Sequence, residues 1–334
     1  MTDALLAVDA GNSKTIAVVV DPAGAVLGRG RGGRGDIYGA ASAAEARAAV
    51  FAAARGALDE AGVAPGDVRA AAFRLAGVDW PEDRTGWEGW IDTELPGMRR
   101  RSVLNDGFAT LRLGDPSGVG LGITVGTGPA LAARSNDGQE ACSGWWVFDD
   151  LGGAGIAHAA LAAVHRSWMG LGPATCLTAE LLELFDVPDP YELRHSFTRR
   201  FGARPESEQW AAARVVLAAA ADGDDVARRI VEHQAAALVG YGRWVALQVG
   251  ADLTDGHLPV VLNGSVATSE HGALREALLS ELAVRYPGTP VRVAGGAPLA
   301  GCVLDAIAES GRPVDGPLVA HVVATIRAED FPAA

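Results

Sequence analysis

Three short stretches of this chain combine the residue types that phosphoryl transfer needs: backbone donors around phosphates, a divalent metal with carboxylate support, and a base to orient the nucleophile. The first is Asp9-Ala10-Gly11-Asn12-Ser13-Lys14-Thr15. Glycine lets a backbone approach a phosphate closely. Asn12, Ser13 and Thr15 are short polar donors and Lys14 is a cation. Asp9, at a strand end, is placed to support a hydrated Mg²⁺, which binds through one or two carboxylates and retained waters. The second stretch is Gly126-Thr127-Gly128, a small-residue turn after an apolar strand and so a second phosphate cradle. The third is Asp106, where a strand ends and a helix starts, positioned to accept a proton from a substrate hydroxyl. Each has a plainer reading beside it: ordinary hairpin turns for the first two, and for Asp106 a helix N-cap, which Asp favours. The first stretch is not a P-loop, since that motif needs Gly directly before the Lys and Ser13 stands there.

Other matches carry less. Gly28-Arg29-Gly30-Arg31-Gly32-Gly33 fits G-x-G-x-x-G but lacks the strand–turn–helix setting of a dinucleotide site, and it reads as a flexible loop. Arg34-Gly35-Asp36 reads as a chance match to an adhesion signal. His158 and His165 fit one helix face but not a metal-ligand pair.

The elements that must position these residues follow from pattern. Residues 5–8, 15–20 and the stretch from 25 read as three strands, separated by the first turn and by Asp21-Pro22-Ala23-Gly24, which has Pro and Gly where β-turns want them. A long Ala-rich helix follows, with Ser42 and Glu45 as a capping box and Gly62 as its stop. Residues 68–75 and 102–104 read as strands, with a helix between them inside residues 80–95. A second strand–glycine turn–strand–turn–strand run begins at 119, passes Gly126-Thr127-Gly128 and the Asn136-Asp137-Gly138 turn, and ends at 142. Two units with the same grammar predict two related lobes. Residues 155–250 read as mostly helical, followed by strands at 259–262 and 290–294. The expectation is an α/β chain of two lobes with a cleft between them: residues 1–115, residues 116–316, and a C-terminal helical segment 317–334 whose Leu318, Val322 and Ile326 recur at helical spacing.

Bulk properties narrow the function. The 334 residues are 49% apolar and 21% charged, enough for a sizeable core, and the net charge of −13 lacks the basic face of a nucleic-acid binder. Three scattered cysteines, Cys142, Cys176 and Cys302, give neither a zinc pattern nor a disulfide framework. The start Met1-Thr2-Asp3-Ala4 lacks the basic region of a signal peptide. No apolar run reaches the ~20 residues of a membrane span. The expectation is a cytoplasmic protein that contacts neither membrane nor nucleic acid.

Taken in order, the motifs resemble the BadF/BadG-type ATPase family, and within it the N-acetylglucosamine kinase branch, in the actin–hexokinase–Hsp70 superfamily. Val8 to Thr15 resembles the first phosphate motif, Leu104-Asn105-Asp106 the segment ending in the catalytic aspartate, and Val125-Gly126-Thr127-Gly128 the second phosphate motif. Gly144-Trp145, with Asp149 and Asp150 before Ile156-Ala157-His158, resembles the sugar-side loop. Asn263-Gly264-Ser265-Val266 resembles the adenosine motif, and Ala297-Pro298-Leu299-Ala300-Gly301 the closing segment near the nucleotide. The resemblance implies an actin-like (ribonuclease H-like) fold with an interlobe active site, ATP and Mg²⁺ as cofactors, a sugar or aminosugar substrate, and a homodimer. It implies Asp106 as general base and Asp9 as the metal support. Gly11, Asn12, Ser13, Lys14, Thr15, Gly126, Thr127 and Gly128 would lie at the ATP phosphates, and Gly264 and Ser265 beside the adenosine. Asp36, Tyr38, Gly144, Trp145, Asp149 and Asp150 would lie at the sugar, with Asp106.

The chain departs from the family chiefly on the sugar side. Asn12 stands in place of Gly, and Pro129 in place of Ser. Asp36-Ile37-Tyr38 replaces Asn-x-Trp, and Phe148-Asp149-Asp150-Leu151 replaces Gly-Asp-Glu-Gly. The added carboxylates of Asp36, Asp149 and Asp150 suit a cationic acceptor, such as glucosamine or an aminocyclitol, through charge-assisted contacts. Two rivals are an activator ATPase, which would need a cysteine pattern for a shared cluster, and a non-catalytic sugar-binding or regulatory protein on the same fold.

Overall fold

The first strands are apolar at nearly every position instead of every second one, and strands of that kind need cover on both faces. The computed structural model, which describes residues 3–327, shows the cover. Strands β1 (Ala4–Ala10), β2 (Thr15–Val20), β3 (Val26–Gly32), β4 (Val68–Leu75) and β5 (Arg101–Leu104) form one sheet in the order β3-β2-β1-β4-β5. Strands β6 (Gly120–Val125), β7 (Pro129–Arg134), β8 (Glu140–Cys142), β9 (Val260–Asn263) and β10 (Val291–Val293) form a second, ordered β10-β9-β6-β7-β8. In each sheet the opening meander is antiparallel and the two later strands add in parallel. One topology is therefore used twice, as the repeated turn grammar predicts.

Helices α1 (Ala43–Ala61) and α2 (Pro81–Glu94) lie in the first half of the chain. The short α3 (Leu111–Gly114) follows β5, and α4 (Gly152–Trp168), α5 (Leu177–Leu184), α6 (Pro190–Thr198), α7 (Ala212–Ala221), α8 (Asp225–Gln248) and α9 (Ala273–Arg285) build the second lobe. Helices α10 (Pro298–Glu309) and α11 (Gly316–Thr325) close the described chain. Side chains of a strand alternate between faces. Leu6 and Val8 of β1 meet Val50, Phe51, Trp87 and Ile91 of α1 and α2. Leu5 and Ala7 meet Leu299, Val303 and Ile307 of α10. Helix α10, counted with residues 116–316 from the sequence, thus packs on the first sheet, and Val322 and Ile326 join the same cluster. Residues 328–334 of the predicted C-terminal segment lie outside the described residues.

The Gly28–Gly33 stretch corrects its expectation. It is β3 through Gly32, not a flexible loop. A Cβ on Gly28, Gly30 or Gly32 would collide with the carbonyl oxygens of Ala57, Ala53 and Ala49. Two strand residues span about 6.6 Å and four helix residues about 6 Å, so alternate glycines of β3 track every fourth alanine of α1. Of the predicted caps, Ser42 accepts from Glu45 N at 3.2 Å, which is one half of a capping box, and Gly62, at φ 65°, ends the helix as expected.

A buried ion cluster ties α10 down. Arg74 of β4 is fully buried and donates from Nε to Asp305 Oδ2 at 2.7 Å, while Arg112 of α3 donates from Nε to Asp305 Oδ1 at 2.7 Å. Burial works to raise the Asp305 carboxyl, but Arg74, Arg134 and Arg112 outweigh it and hold it below the usual carboxylate value. Among the described residues, no helix is long and apolar enough to cross a membrane.

Candidate active site

Parallel strands end on one edge of their sheet, and crevices outside carboxyl ends are where open α/β sheets bind ligands. Strands β1, β4 and β5 run parallel. Their ends bring Asp9, the Gly77–Asp79 turn and Asp106 together in one cleft of about 410 Å³. The opposite wall comes from the second sheet: Thr124, the Gly126-Thr127-Gly128 turn and, after β8, Ser143 and Gly144.

The two glycine turns are built alike. In the first, Gly11 N donates to Lys14 O at 3.0 Å; in the second, Gly126 N donates to Gly128 O at 3.0 Å. The first turn of α4 fixes the second loop, with Gly153 N and Ala154 N donating to Gly126 O and Thr127 O at 2.9 Å each. A Cβ on Gly128 would meet nothing within 4 Å, and one on Gly11 nothing nearer than 3.9 Å. Packing does not demand glycine at either place; a bare backbone facing the cleft does use it.

The cleft is acidic. Asp9, Asp36, Asp79 and Asp106 all line it, and among the described lining residues Lys14 is the one cation. Burial, then the charges of Asp9, Asp79 and Asp36, push Asp106 up to about 7. Burial lifts Asp9 to about 6 against the pull of Lys14. Burial, then Asp36 and Asp83, lift Asp79 to about 6, while a hydrogen bond from Asn105 works the other way. Asp79 and Asp106 are thus each raised in part by neighbouring carboxylates.

Of the residues singled out from the sequence, Asp9, Gly11, Asn12, Ser13, Lys14, Asp36, Asp106, Gly126, Thr127, Gly128 and Gly144 line this cleft. Thr15 does not: it is fully buried at the start of β2 and its hydroxyl donates to Gly33 O at 2.9 Å. Tyr38 and Trp145 are not on that lining either; their rings lie 5.1 Å apart edge to face, and Tyr38 donates to Asp83 Oδ1 at 2.8 Å. Asp149 and Asp150 are turned to other partners. Tyr241 donates to Asp149 Oδ2 at 2.6 Å, and Asp150 pairs with His158 at 2.7 Å. Neither lines the cleft. Gly264 and Ser265 also lie off its lining; Gly264, at φ 98°, packs against the backbone of Val125, just before the second glycine turn. Arg34 and Gly35 serve the first turn: Arg34 Nε donates to Asn12 O at 2.6 Å and Gly35 N to Gly11 O at 3.1 Å.

Asp79, Thr124 and Ser143 are polar residues of the cleft that the sequence reading does not single out, and Asn105 enters it only as part of the Asp106 motif. Asp79 follows the end of β4 and Gly77, and a strand end with a glycine and a carboxylate is the weak signal that could have found it. Asp83 holds this turn, accepting from Asp79 N at 3.1 Å and Trp80 N at 2.8 Å.

No family model matches the chain, and no curated protein does. Solved structures do. A candidate N-acetylglucosamine kinase from Chromobacterium violaceum is similar with TM-score 0.67 and 24% identity, over 91% of this chain and 99% of its own. One from Porphyromonas gingivalis gives 0.65 and 18%, over 90% and 98%. The fold is the actin-like two-lobed fold of sugar kinases. A ROK family glucokinase from Streptomyces griseus, in complex with glucose and AMPPNP, matches it with TM-score 0.58 and 18% identity, over 91% and 98%.

Proposed function

We propose that this chain is an ATP-dependent carbohydrate kinase, of the N-acetylglucosamine kinase branch of the BadF/BadG-type ATPases, and that its acceptor is an N-acetylglucosamine- or glucosamine-type sugar. The observation that carries this reading is Asp106, a half-buried carboxylate with its pKa lifted to about 7, facing two glycine turns across one cleft. A general base works best with a pKa near the working pH.

The residues present fit the nucleotide and its metal. The bare glycine turns and Lys14 suit phosphates, and Asp9 offers a hard oxygen ligand beside the first turn, enough for an ion that keeps its waters. When bound, Mg·ATP supplies the phosphoryl group and neutralises its charge. Asp9 would hold the hydrated ion. Asn12, Ser13, Lys14, Gly126, Thr127 and Gly128 would orient the phosphates, with Gly264 and Ser265 near the nucleoside side. Asp106 would take the proton of the acceptor hydroxyl, whose oxygen forms the new P–O bond as the bond to ADP breaks.

Asp36 and Asp79 would hold the sugar, beside Gly144. Two carboxylates flanking the base favour an acceptor with an ammonium group, by charge-assisted hydrogen bonds. Asp36 thereby keeps the role expected of it, and Asp79 takes the role expected of Asp149 and Asp150. The test is coupled ADP release with Mg·ATP over N-acetylglucosamine, glucosamine, N-acetylmannosamine, N-acetylmuramic acid, glucose and an aminocyclitol. Turnover on one acceptor identifies the class; ATP binding without turnover on any would favour the non-catalytic rival.

A further inference from the structure

Beside the cleft lies a second cavity of about 420 Å³. The two abut at Asp79 and Asn105, which line both, and at the consecutive residues Cys142 and Ser143. One wall of the second cavity comes from the first lobe, through Val78, Trp80 and Arg84; the other comes from the second lobe, through Glu140, Trp146 and Trp244. Three indoles meet there. The Trp80 and Trp146 rings are 6.0 Å apart at 71°, and those of Trp146 and Trp244 are 5.8 Å apart at 50°. Trp146 is still 47% exposed, so its ring is a wall of the groove, not a plug of the core.

Aromatic walls with a few polar groups at the edge are the surface on which one face of a pyranose ring lies: its C–H face packs on the ring and its hydroxyls reach the rim. Arg84, Glu140 and Gln248 are on the lining to meet those hydroxyls. We propose that this groove is a subsite for a second sugar ring, so that the acceptor is an aminosugar disaccharide with its reacting ring at Asp106 and its other ring on Trp146. The inference rests on the kinase reading for the first ring, and it narrows the acceptor from monosaccharides to glycosides. A ring lying on Trp146 would stand beside Trp80, whose indole already touches that of Trp146 at 6.0 Å, and so would meet side chains of both lobes.

The probes are glucosamine and its β-1,4-linked dimer, with binding measured by calorimetry and turnover by ADP release, on the wild-type chain, Trp146→Ala and Trp146→Tyr. The expected result is a kcat/KM ratio of dimer to monomer of about ten or more, equivalent to ~1.4 kcal/mol. Trp146→Ala should lose most of that ratio and Trp146→Tyr should keep most of it. Equal kcat/KM for the two sugars in the wild type, or a Trp146→Ala loss that is the same for both, overturns the subsite and leaves the kinase reading intact. Tight binding of the dimer that depends on Trp146, without ADP release from either sugar, supports the subsite and contradicts the kinase reading.

Discussion

Asn105 donates its side-chain amide to Asp79 Oδ1 at 2.9 Å, and its own Oδ1 accepts from Gly107 N at 2.9 Å. One buried side chain thus orients an acidic residue of the cleft and caps the turn that begins with Asp106. Asn105→Ala removes both bonds. Losing a cap of this kind costs about 1 kcal/mol. Losing the bond to Asp79 takes away what lowers that carboxyl. The expected outcome is a Tm lowered by about 2 °C together with a roughly tenfold or greater fall in kcat/KM. A thermal melt and steady-state kinetics on the same preparation check it. A lowered Tm with unchanged kinetics would make Asn105 a structural cap alone.

If Asp106 is the base, a pH profile should show it. With Asp106 near 7 in the free protein, its proton-accepting form is lost as pH falls. The kcat/KM of the wild type should therefore decline below about pH 7 and level off above it. The same curve for Asp106→Asn, scaled for its lower rate, should lack that limb.

The acidic cluster has a cost in stability with a definite sign. Asp9, Asp79 and Asp106 all have folded values above those of an unfolded chain. Such groups bind protons more readily in the native state, so their contribution is fully present below about pH 4 and is lost as pH rises through about 6 to 7. The protein without ligands should melt at a lower temperature at pH 8 than at pH 6. Asp79→Asn should raise the pH 8 melting point and shrink the difference, while impairing turnover. Melting curves at the two pH values check this; a wild-type curve that Asp79→Asn leaves unchanged contradicts the electrostatic reading of the cleft.

Charge should also set acceptor preference. If Asp36 and Asp79 receive an ammonium group, glucosamine should exceed N-acetylglucosamine in kcat/KM by about tenfold, near the worth of one charged hydrogen bond. Asp36→Asn should narrow the gap. Equal values for the two sugars would remove the case for a cationic acceptor.

A packing prediction lies far from the cleft chemistry. Gly30→Val puts a branched side chain where β3 already touches the Ala53 carbonyl of α1. Overpacking of this kind costs about 1–3 kcal/mol, so the protein should melt several degrees lower, by calorimetry, without a change in acceptor preference.

What the sequence disclosed was local. Ser42 and Gly62 announce the ends of α1 because caps act within a few residues. The doubled meander is legible because each hairpin is closed by its own turn. Asp106 stands out because a strand end, Asp and a helix start are contiguous. Asp79 is harder to see, since its place in the cleft depends on the parallel pairing of β4 with β1 and β5, which joins distant segments. Thr15 reads as one more donor in a polar turn, yet it opens β2 in register with Ala10 and Gly32, and its hydroxyl is taken up inside the lobe. Asp149 and Asp150 sit beside a glycine-led helix as a sugar loop would, but Tyr241 and His158 bond them instead. The glycines of β3 read as flexible because sequence alone does not show the helix that lies against them.

The most direct measurement is sugar-dependent ADP release by the wild-type protein and by Asp106→Asn, with nucleotide affinity measured alongside. Removing a general base typically lowers kcat about 10²–10⁴-fold. The kinase reading predicts that loss in Asp106→Asn, with nucleotide affinity within about twofold of wild type. Sugar-dependent turnover that survives Asp106→Asn would contradict the assignment of the base, and with it the central claim about this cleft.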